Sequence, residues 1–236
     1  MNVARDVVRV AGPDAIAFLQ GQLSQDVAAI DAGASAWSLL LQPQGKVDAL
    51  VRIRRAGDDE VLLDVDEGYG AAVVERLERF KLRVKADVEL LGPQEIELSW
   101  PVTSDAPGWD EWRVAVGFPA MGRELTEATI PEEAGIVDLA VSFTKGCYTG
   151  QELVARIDSR GRNVPRRLRR VTVDAGELTV GDELLAGDGK VVGTVTTAVG
   201  AAALAYVRRD VESPAEVALA DGRVARIEAL PKLFCR

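Results

Sequence analysis

The spacing of apolar residues predicts alternating helices and strands in the first part of the chain. Residues 7–23 indicate a short strand, a turn at Gly12–Pro13 and a helix, because apolar residues after the turn recur every three or four positions. Residues 35–66 indicate three strands with two turns, and residues 69–80 indicate a helix with one apolar face. This order predicts an antiparallel sheet covered by helices, which is an α+β layer.

The middle of the chain predicts four more strands and a short helix. We expect the strands at 82–91, 92–100, 111–118 and 137–144, a loop at 101–110, and the helix at 153–161.

The pattern changes from Val164 onward. Short apolar runs there alternate with turns that contain Gly and Asp, which is typical of a small β-barrel or sandwich. We therefore expect two domains, an α+β body over residues 1–164 and a C-terminal β-barrel over residues 165–236.

The composition is that of a soluble globular protein. Of 236 residues, 47% are hydrophobic and 28% are charged. No apolar run reaches the length of a membrane span, and the first residues lack the apolar centre of a secretory signal. Because only two cysteines occur, no disulfide framework is expected, and we predict a cytoplasmic protein without a membrane partner.

Histidine is absent, which excludes several kinds of site within one chain. Ser-His-Asp and Cys-His catalytic sites both need an imidazole. The two thiols, Cys147 and Cys235, lie far apart in sequence and have no ligand spacing typical of zinc or of an iron–sulfur cluster. We therefore predict no stable metal in one chain.

The net charge of −9 argues against a protein that is generally coated with nucleic acid. The segment 156–170 nevertheless holds seven arginines and one acidic residue. This arginine strip has two interpretations. Its side chains either have acidic partners within the chain or face a specific anionic ligand, such as the phosphates of tRNA.

The stretch KGCYTGQE, residues 145–152, places a cysteine where the chain turns polar. Thr149 and Glu152 have the spacing of a capping box, which would start a helix at this point. Cys147 would then lie near the positive end of that helix and, if the preceding strand continued, on the same face as Lys145. Both neighbours favour a thiolate. The stretch thus predicts an exposed, activated thiol, with a small residue filling a tight turn as the alternative.

KGCYTGQE resembles the KGCYxGQE signature of the YgfZ family. Residues 10–26 are similar to that family's N-terminal helix motif, and residues 189–210 to its barrel segment, so the resemblance spans nearly the whole chain. It implies an aminomethyltransferase-like cloverleaf, with two interleaved α+β modules and a C-terminal β-barrel. It also implies a folate-binding accessory factor for the assembly or repair of iron–sulfur proteins, linked to tRNA modification, rather than a classical enzyme. A folate-dependent one-carbon or thiol reaction stays open.

The resemblance also implies the site residues. Cys147 would be the functional thiol, with Lys145 beside it, and tetrahydrofolate or a derivative would be the cofactor. The folate ring and its anionic tail would be held by residues that offer stacking surfaces, cations or hydrogen bonds, namely Trp37, Lys46, Phe118, Tyr148, Gln151, Glu152 and Arg156. The expected partners are the folate itself, iron–sulfur client proteins and tRNA.

Two alternative functions remain at this stage. The first is a true folate-dependent aminomethyltransferase, for which Asp26 and Asp48 are candidate carboxylates, although each residue is more often a turn or cap residue. The second is a tRNA-modification factor that binds RNA through the arginine strip.

Overall fold

A computed structural model describes residues 1–98 and 108–231. This part of the chain divides into two compact units. Their described residues are 1–98, 125–131 and 136–162 for the first unit, and 108–124, 132–135 and 163–231 for the second. The second unit thus includes two segments that precede the predicted C-terminal domain. Residues 101–107 of the predicted loop, and Cys235, lie outside the described residues.

The first unit is built on a five-stranded antiparallel sheet in the order β2-β3-β4-β1-β5. Its strands are β1 (Asn2–Ala11), β2 (Ser35–Leu41), β3 (Val47–Arg55), β4 (Glu60–Asp66) and β5 (Asp87–Glu97). Strand β1 pairs with both β4 and β5. Consecutive residues Val7 and Val8 are fully buried, so both faces of this inner strand are covered.

Helices connect and cover these strands. The described helices are α1 (Ala15–Gln22), α2 (Gly70–Phe80), α3 (Trp109–Val116), α4 (Val137–Ala140) and α5 (Gln151–Ser159), with a 3₁₀ turn at Val27–Ala29. Helix α2 confirms the prediction at 69–80, and its buried face carries Val73 and Leu77. The Asp6 carboxylate accepts the backbone N–H groups of Gly68 and Gly70, each at 2.9 Å, and so stabilises the start of α2.

The two strands predicted at 82–91 and 92–100 are wrong as separate elements, because β5 runs through their junction. The register against β1 shifts between Val7 and Val8, leaving an extra residue on β5 beside Gly92. Gly92 has φ 82°, a conformation that glycine adopts without strain. The Gly92–Pro93 pair therefore marks a β-bulge rather than a turn.

The strands predicted at 111–118 and 137–144 are also wrong. The first is helix α3, which ends at Gly117 with φ 77°, a typical helix stop. Its Asp110–Arg113 pair has helical spacing and a contact of 2.9 Å. The second is the single turn of α4 followed by irregular backbone. In both segments alternating apolar residues imitated a strand, because more than one helix face is buried.

The second unit contains the closed six-stranded barrel, in the order β10-β11-β6-β9-β8-β7. Its strands are β6 (Arg166–Val173), β7 (Glu183–Leu185), β8 (Val191–Val199), β9 (Ala202–Arg208), β10 (Ala215–Ala218) and β11 (Val224–Glu228). Small and branched side chains, such as Val171, Ala205 and Ile227, fill the interior. The predictions of an α+β chain and of a C-terminal barrel are confirmed.

Each unit also buries charged groups in its interior. In the first, Arg5 is 1% exposed, and its Nε donates to Asp64 at 2.5 Å. In the second, Arg113 and Glu124 are both fully buried, and they pair at 3.1 Å. Buried charges persist in proteins when they are paired and hydrogen-bonded, so we assign these pairs to the folding of each unit. Among the described residues no helix has the length and apolarity that a membrane span requires.

Candidate functional site

The KGCYTGQE stretch lies in a loop that runs from α4 to α5 past the end of α1. Two backbone bonds attach this loop to the chain around α1. The Ser142 N–H donates to the Ser24 carbonyl at 3.0 Å, and the Thr149 N–H donates to the Gly21 carbonyl at 3.1 Å. Cys147 lies between these two attachments. The loop backbone is therefore held at both ends. One of the two acceptors, the Gly21 carbonyl, lies in the last turn of α1, where carbonyls have no intrahelical partner.

Lys145 adds a third attachment from its side chain. Its Nζ donates to the carbonyl oxygens of Gln20, Leu23 and Gln25, at 2.6, 2.6 and 3.0 Å. Burial lowers the pKa of the half-buried Lys145 ammonium to about 8, opposed by the charge of Asp26. The same ammonium lies 5.1 Å from the centre of the Tyr148 ring. Lys145 is thus committed to the end of α1.

The predicted capping box is wrong in detail. The N-cap of α5 is Gly150 instead of the predicted Thr149, no side chain caps the helix, and α5 begins at Gln151, two residues before the predicted range 153–161. Glu152 is exposed in the first turn of the helix. Gly150 has φ 82°, and a Cβ at this position would collide with the Gln42 carbonyl oxygen. Close packing against the β2–β3 turn, rather than side-chain capping, therefore determines where α5 starts.

The polar groups of the motif make two further contacts. The side-chain Oε1 of Gln151 accepts the Tyr148 N–H at 3.2 Å, which closes the turn before α5. Tyr148 itself is half-buried, and burial raises the pKa of its hydroxyl to about 12. The Tyr148 ring is thus partly covered, and it belongs to the residue that directly follows Cys147.

Cys147 is exposed and is a free cysteine. The strand that was predicted to place Cys147 and Lys145 on one face is not present, because the backbone from Val141 to Tyr148 is irregular. Within residues 1–98 and 108–231, no cluster of three or more Cys, Asp or Glu side chains is arranged to hold a metal ion. The chemistry that this loop offers is that of a single accessible thiol.

Two of the aromatic residues predicted to stack on a ligand are interior residues. Trp37 is 7% exposed, and its ring centre lies 5.3 Å from Arg5 Cζ. Phe118 is 1% exposed and belongs to the second unit, where it packs against Trp109 and Trp112. Both rings therefore serve the cores of their own units.

The two predicted cations near the motif are more accessible. Lys46 follows the β2–β3 turn, in which its carbonyl accepts the Gln42 N–H at 2.9 Å. Arg156 is exposed on α5. Both side chains belong to the first unit and stay available for an anionic ligand.

The first unit also contains a cleft of about 510 Å³ between α2 and the β2–β3 turn. None of the residues predicted to hold folate lines it, whereas the candidate carboxylate Asp48 does. Its walls combine apolar, aromatic and charged side chains, namely Leu40, Gln42, Pro43, Gln44, Asp48, Ala49, Tyr69, Ala72, Val73, Glu75, Arg76, Arg79, Phe80 and Glu127. A volume of several hundred Å³ is typical of small-molecule sites.

Arg76 organises one wall of this cleft. Its Nε pairs with Asp48 at 2.9 Å, and its Cζ lies 3.8 Å from the centre of the Phe80 ring. Burial lowers the pKa of Arg76, and Asp48 opposes this effect. Arg76 was not among the residues predicted from sequence, although Arg and Phe four positions apart share one helix face and could have identified it.

The candidate carboxylates already have hydrogen-bond donors. Asp26 accepts Gln20 Nε2 at 2.9 Å and the Ala29 N–H at 3.3 Å, which is the cap role considered from sequence. Asp48 is bound to Arg76 as described above. Neither carboxylate is an uncommitted base.

Much of the arginine strip has acidic partners. In the first unit, Arg162 pairs with Asp138 at 2.7 Å. In the second, Arg166 pairs with Glu133 at 3.2 Å and Arg170 with Glu228 at 3.6 Å. Burial and the neighbouring Arg167 lower the pKa of Arg169. These partners favour the interpretation that the strip is neutralised within the chain.

Comparison with known proteins supports the same overall architecture. Residues 166–230 match the family described as CAF17, C-terminal beta-barrel domain. The structure is similar to that of the glycine cleavage system aminomethyltransferase T from Bartonella henselae, with a TM-score of 0.80 and 20% identity, covering 96% of this chain and 83% of that one. The aminomethyltransferase-like fold is therefore confirmed.

Several relatives are similar in sequence. An uncharacterised protein of Haemophilus influenzae is 26% identical over 82% of this chain and 81% of its own length. An iron–sulfur cluster assembly factor IBA57 homolog, mitochondrial, of Neurospora crassa is 26% identical over 67% of this chain. The tRNA-modifying protein YgfZ of Yersinia pestis is 43% identical over 25% of this chain. The chain spans 50% of that IBA57 homologue, and the match to YgfZ covers 18% of the Yersinia protein.

Proposed function

We propose, from the chain's membership of the YgfZ family, that it is a folate-binding accessory factor for the assembly or repair of iron–sulfur proteins, with Cys147 as its functional thiol. Relatives whose names refer to iron–sulfur cluster assembly and to tRNA modification support this proposal.

The observation that carries the proposal is the exposed thiol on an attached loop. Cys147 is accessible, while the residues on either side, Lys145 and Thr149, are bound to the end of α1. A single accessible thiol suits transient chemistry with a partner protein better than a stable metal centre, which needs several ligands. We expect the thiol to act in contact with a client or a sulfur carrier.

The folate part of the proposal has a fitting cavity in the first unit. A pterin ring is flat and has hydrogen-bonding edges, and the cleft beside α2 offers the Tyr69 ring together with the carboxylates of Glu75 and Glu127. Arg79, exposed at the end of α2, is a cation for the anionic tail. When bound, folate would supply one-carbon chemistry. The residues of the cleft would hold and orient it.

The test of the thiol uses cells that lack the endogenous protein and are complemented with wild type or Cys147→Ala. We expect Cys147→Ala to accumulate normally and to leave iron–sulfur enzyme activity at the level of uncomplemented cells. Ala155→Ser, an exposed change on α5, is the control and should restore the activity. Full activity with Cys147→Ala would refute the role of the thiol.

The folate part is tested separately by calorimetric titration with tetrahydrofolate derivatives. We expect binding at micromolar concentrations, weakened at least tenfold by Arg79→Ala and unchanged by the equally exposed Arg156→Ala. Weakening by Arg156→Ala and not by Arg79→Ala would favour the tail site predicted at Arg156. An absence of binding at high micromolar concentrations would remove folate from the proposal.

A folate-dependent aminomethyltransferase is the second candidate, because the fold matches an enzyme of that class. The commitment of Asp26 and Asp48 to other groups weighs against it. The test is to supply an aminomethylated carrier protein with tetrahydrofolate and to measure methylene-tetrahydrofolate. A role in tRNA modification and a cytoplasmic location remain predictions.

A further inference from the structure

We propose that Lys145 is a positioning residue, whose ammonium ties the loop that carries Cys147 to the C-terminal end of α1. This inference rests on the proposed role of Cys147. It gives Lys145 a different part from the one predicted from sequence, in which it favoured the thiolate.

The geometry of the ammonium supports positioning. A lysine ammonium has three N–H donors, and Lys145 has three acceptors within 3.0 Å, all of them backbone carbonyls. One acceptor, Leu23, is the C-cap residue of α1, and Gln20 lies in the last turn. Carbonyls at a helix end lack intrahelical partners and carry the negative end of the helix dipole, so a cation is favourable there.

The surroundings of the Lys145 ammonium add to the effect of its hydrogen bonds on the loop. Lys145 is half-buried, and its side chain also covers one face of the Tyr148 ring at 5.1 Å. Tyr148 follows Cys147 directly, so Lys145, which precedes the thiol, contacts the residue that follows it. The Thr149 N–H donates to the carbonyl of Gly21, which lies in the same last turn of α1. Cys147 thus lies between two attachments to the same helix end.

The alternative role would require the ammonium to act on the thiol itself. Because its three donors are spent on carbonyls, Lys145 has no N–H left to donate to the Cys147 sulfur. Replacing Lys145 should therefore change the position and mobility of Cys147, and it should remove no hydrogen bond to the sulfur.

The experiment uses a Cys235→Ser background, in which Cys147 is the only thiol, and compares Lys145→Met, Lys145→Arg and Lys85→Met. Lys85 is an exposed lysine of the same unit and serves as the control. A nitroxide attached to Cys147 reports its mobility by electron paramagnetic resonance. Hydrogen exchange of the Ser142 and Thr149 amides, measured on the unlabelled proteins, reports the two backbone attachments.

We expect Lys145→Met to remain folded, to sharpen the nitroxide spectrum and to speed exchange of both amides at least tenfold. Lys145→Arg, which keeps several donors, should restore most of both signals, and Lys85→Met should change neither. If Lys145→Met fails to fold, Lys145→Gln, which keeps two donors, carries the same test. An unchanged spectrum and unchanged exchange in a folded Lys145→Met or Lys145→Gln protein would overturn the proposal.

The cellular assay separates this inference from the proposed function. If Cys147→Ala is inactive, and if Lys145→Met does not restore iron–sulfur enzyme activity while Lys145→Arg does, the proposed function and the positioning role are both supported. If Cys147→Ala is fully active, the proposed function fails, but a loosened loop in Lys145→Met would still establish the positioning role.

Discussion

The Nζ atom of Lys145 lies 2.6 Å from the carbonyl oxygen of Leu23, the residue at which helix α1 ends. The two residues are 122 positions apart in the chain. This contact turns a lysine that looks like a chemical partner of Cys147 into the group that holds the thiol's loop in place.

Removing the thiol should leave the stability of the fold unchanged. Cys147→Ser replaces an exposed side chain, so we expect the free energy of unfolding in urea to stay within about 0.5 kcal/mol of wild type. Val154→Ala, on the buried face of α5, is the matched comparison and should cost about 1–3 kcal/mol. A large loss with Cys147→Ser would mean that the thiol is a packing group.

Breaking the buried pair of the first unit should be costly. Arg5→Met leaves Asp64 buried with one fewer cation, and we expect a loss of about 3–5 kcal/mol in unfolding free energy. The exposed Lys190 provides the control, since Lys190→Met should have no measurable effect. Asp64 keeps its ion pair with Arg52 in this variant, and the lower end of the range allows for that remaining partner. Equal effects of the two changes would contradict the assignment.

The second unit should depend on Glu124 in the same way. Its carboxylate accepts the hydroxyls of Thr196 and Thr197, each at 2.7 Å, in addition to Arg113. Glu124→Ala leaves a fully buried cation without this partner, so we expect a loss of about 3–5 kcal/mol. Thermal unfolding followed by circular dichroism measures it, and Glu177→Ala on an exposed turn is the control.

Titration of Tyr148 should be delayed in the folded protein. Burial raises its pKa to about 12, while the unfolded side chain titrates near 10. Between these values the folded state keeps a proton that the unfolded state has lost. The stability from this group is therefore complete below pH 10 and is lost as pH rises through 12. In a pH titration followed by absorbance near 295 nm, the component that ionises near pH 12 should be absent from Tyr148→Phe. Persistence of that component would assign it to another of the three tyrosines.

The local pattern was sufficient where one face of an element is buried. Helix α2 has this property, and its periodicity predicted it. Strands β2 to β4 each bury at least three consecutive residues, so the turns between their apolar runs, rather than a period, predicted them. The local pattern was insufficient for α3, where Trp112, Arg113 and Val114 are buried in succession, because a residue buried on every side carries no period. The bulge at Gly92 shows the same limit, since a glycine signals a positive φ but not whether the chain turns or continues.

The sequence by itself determined the α+β order, the C-terminal barrel, the lack of any imidazole and the single cysteine of the KGCYTGQE motif. Each of these depends on residue identity or on spacing within a short window. The tertiary structure decided that β1 enters between β4 and β5, that α2 and the β2–β3 turn form a cleft, and that Lys145 binds the end of α1. These relations join distant segments, because unpaired carbonyls and buried charges take whichever partner the packing of the whole unit brings near.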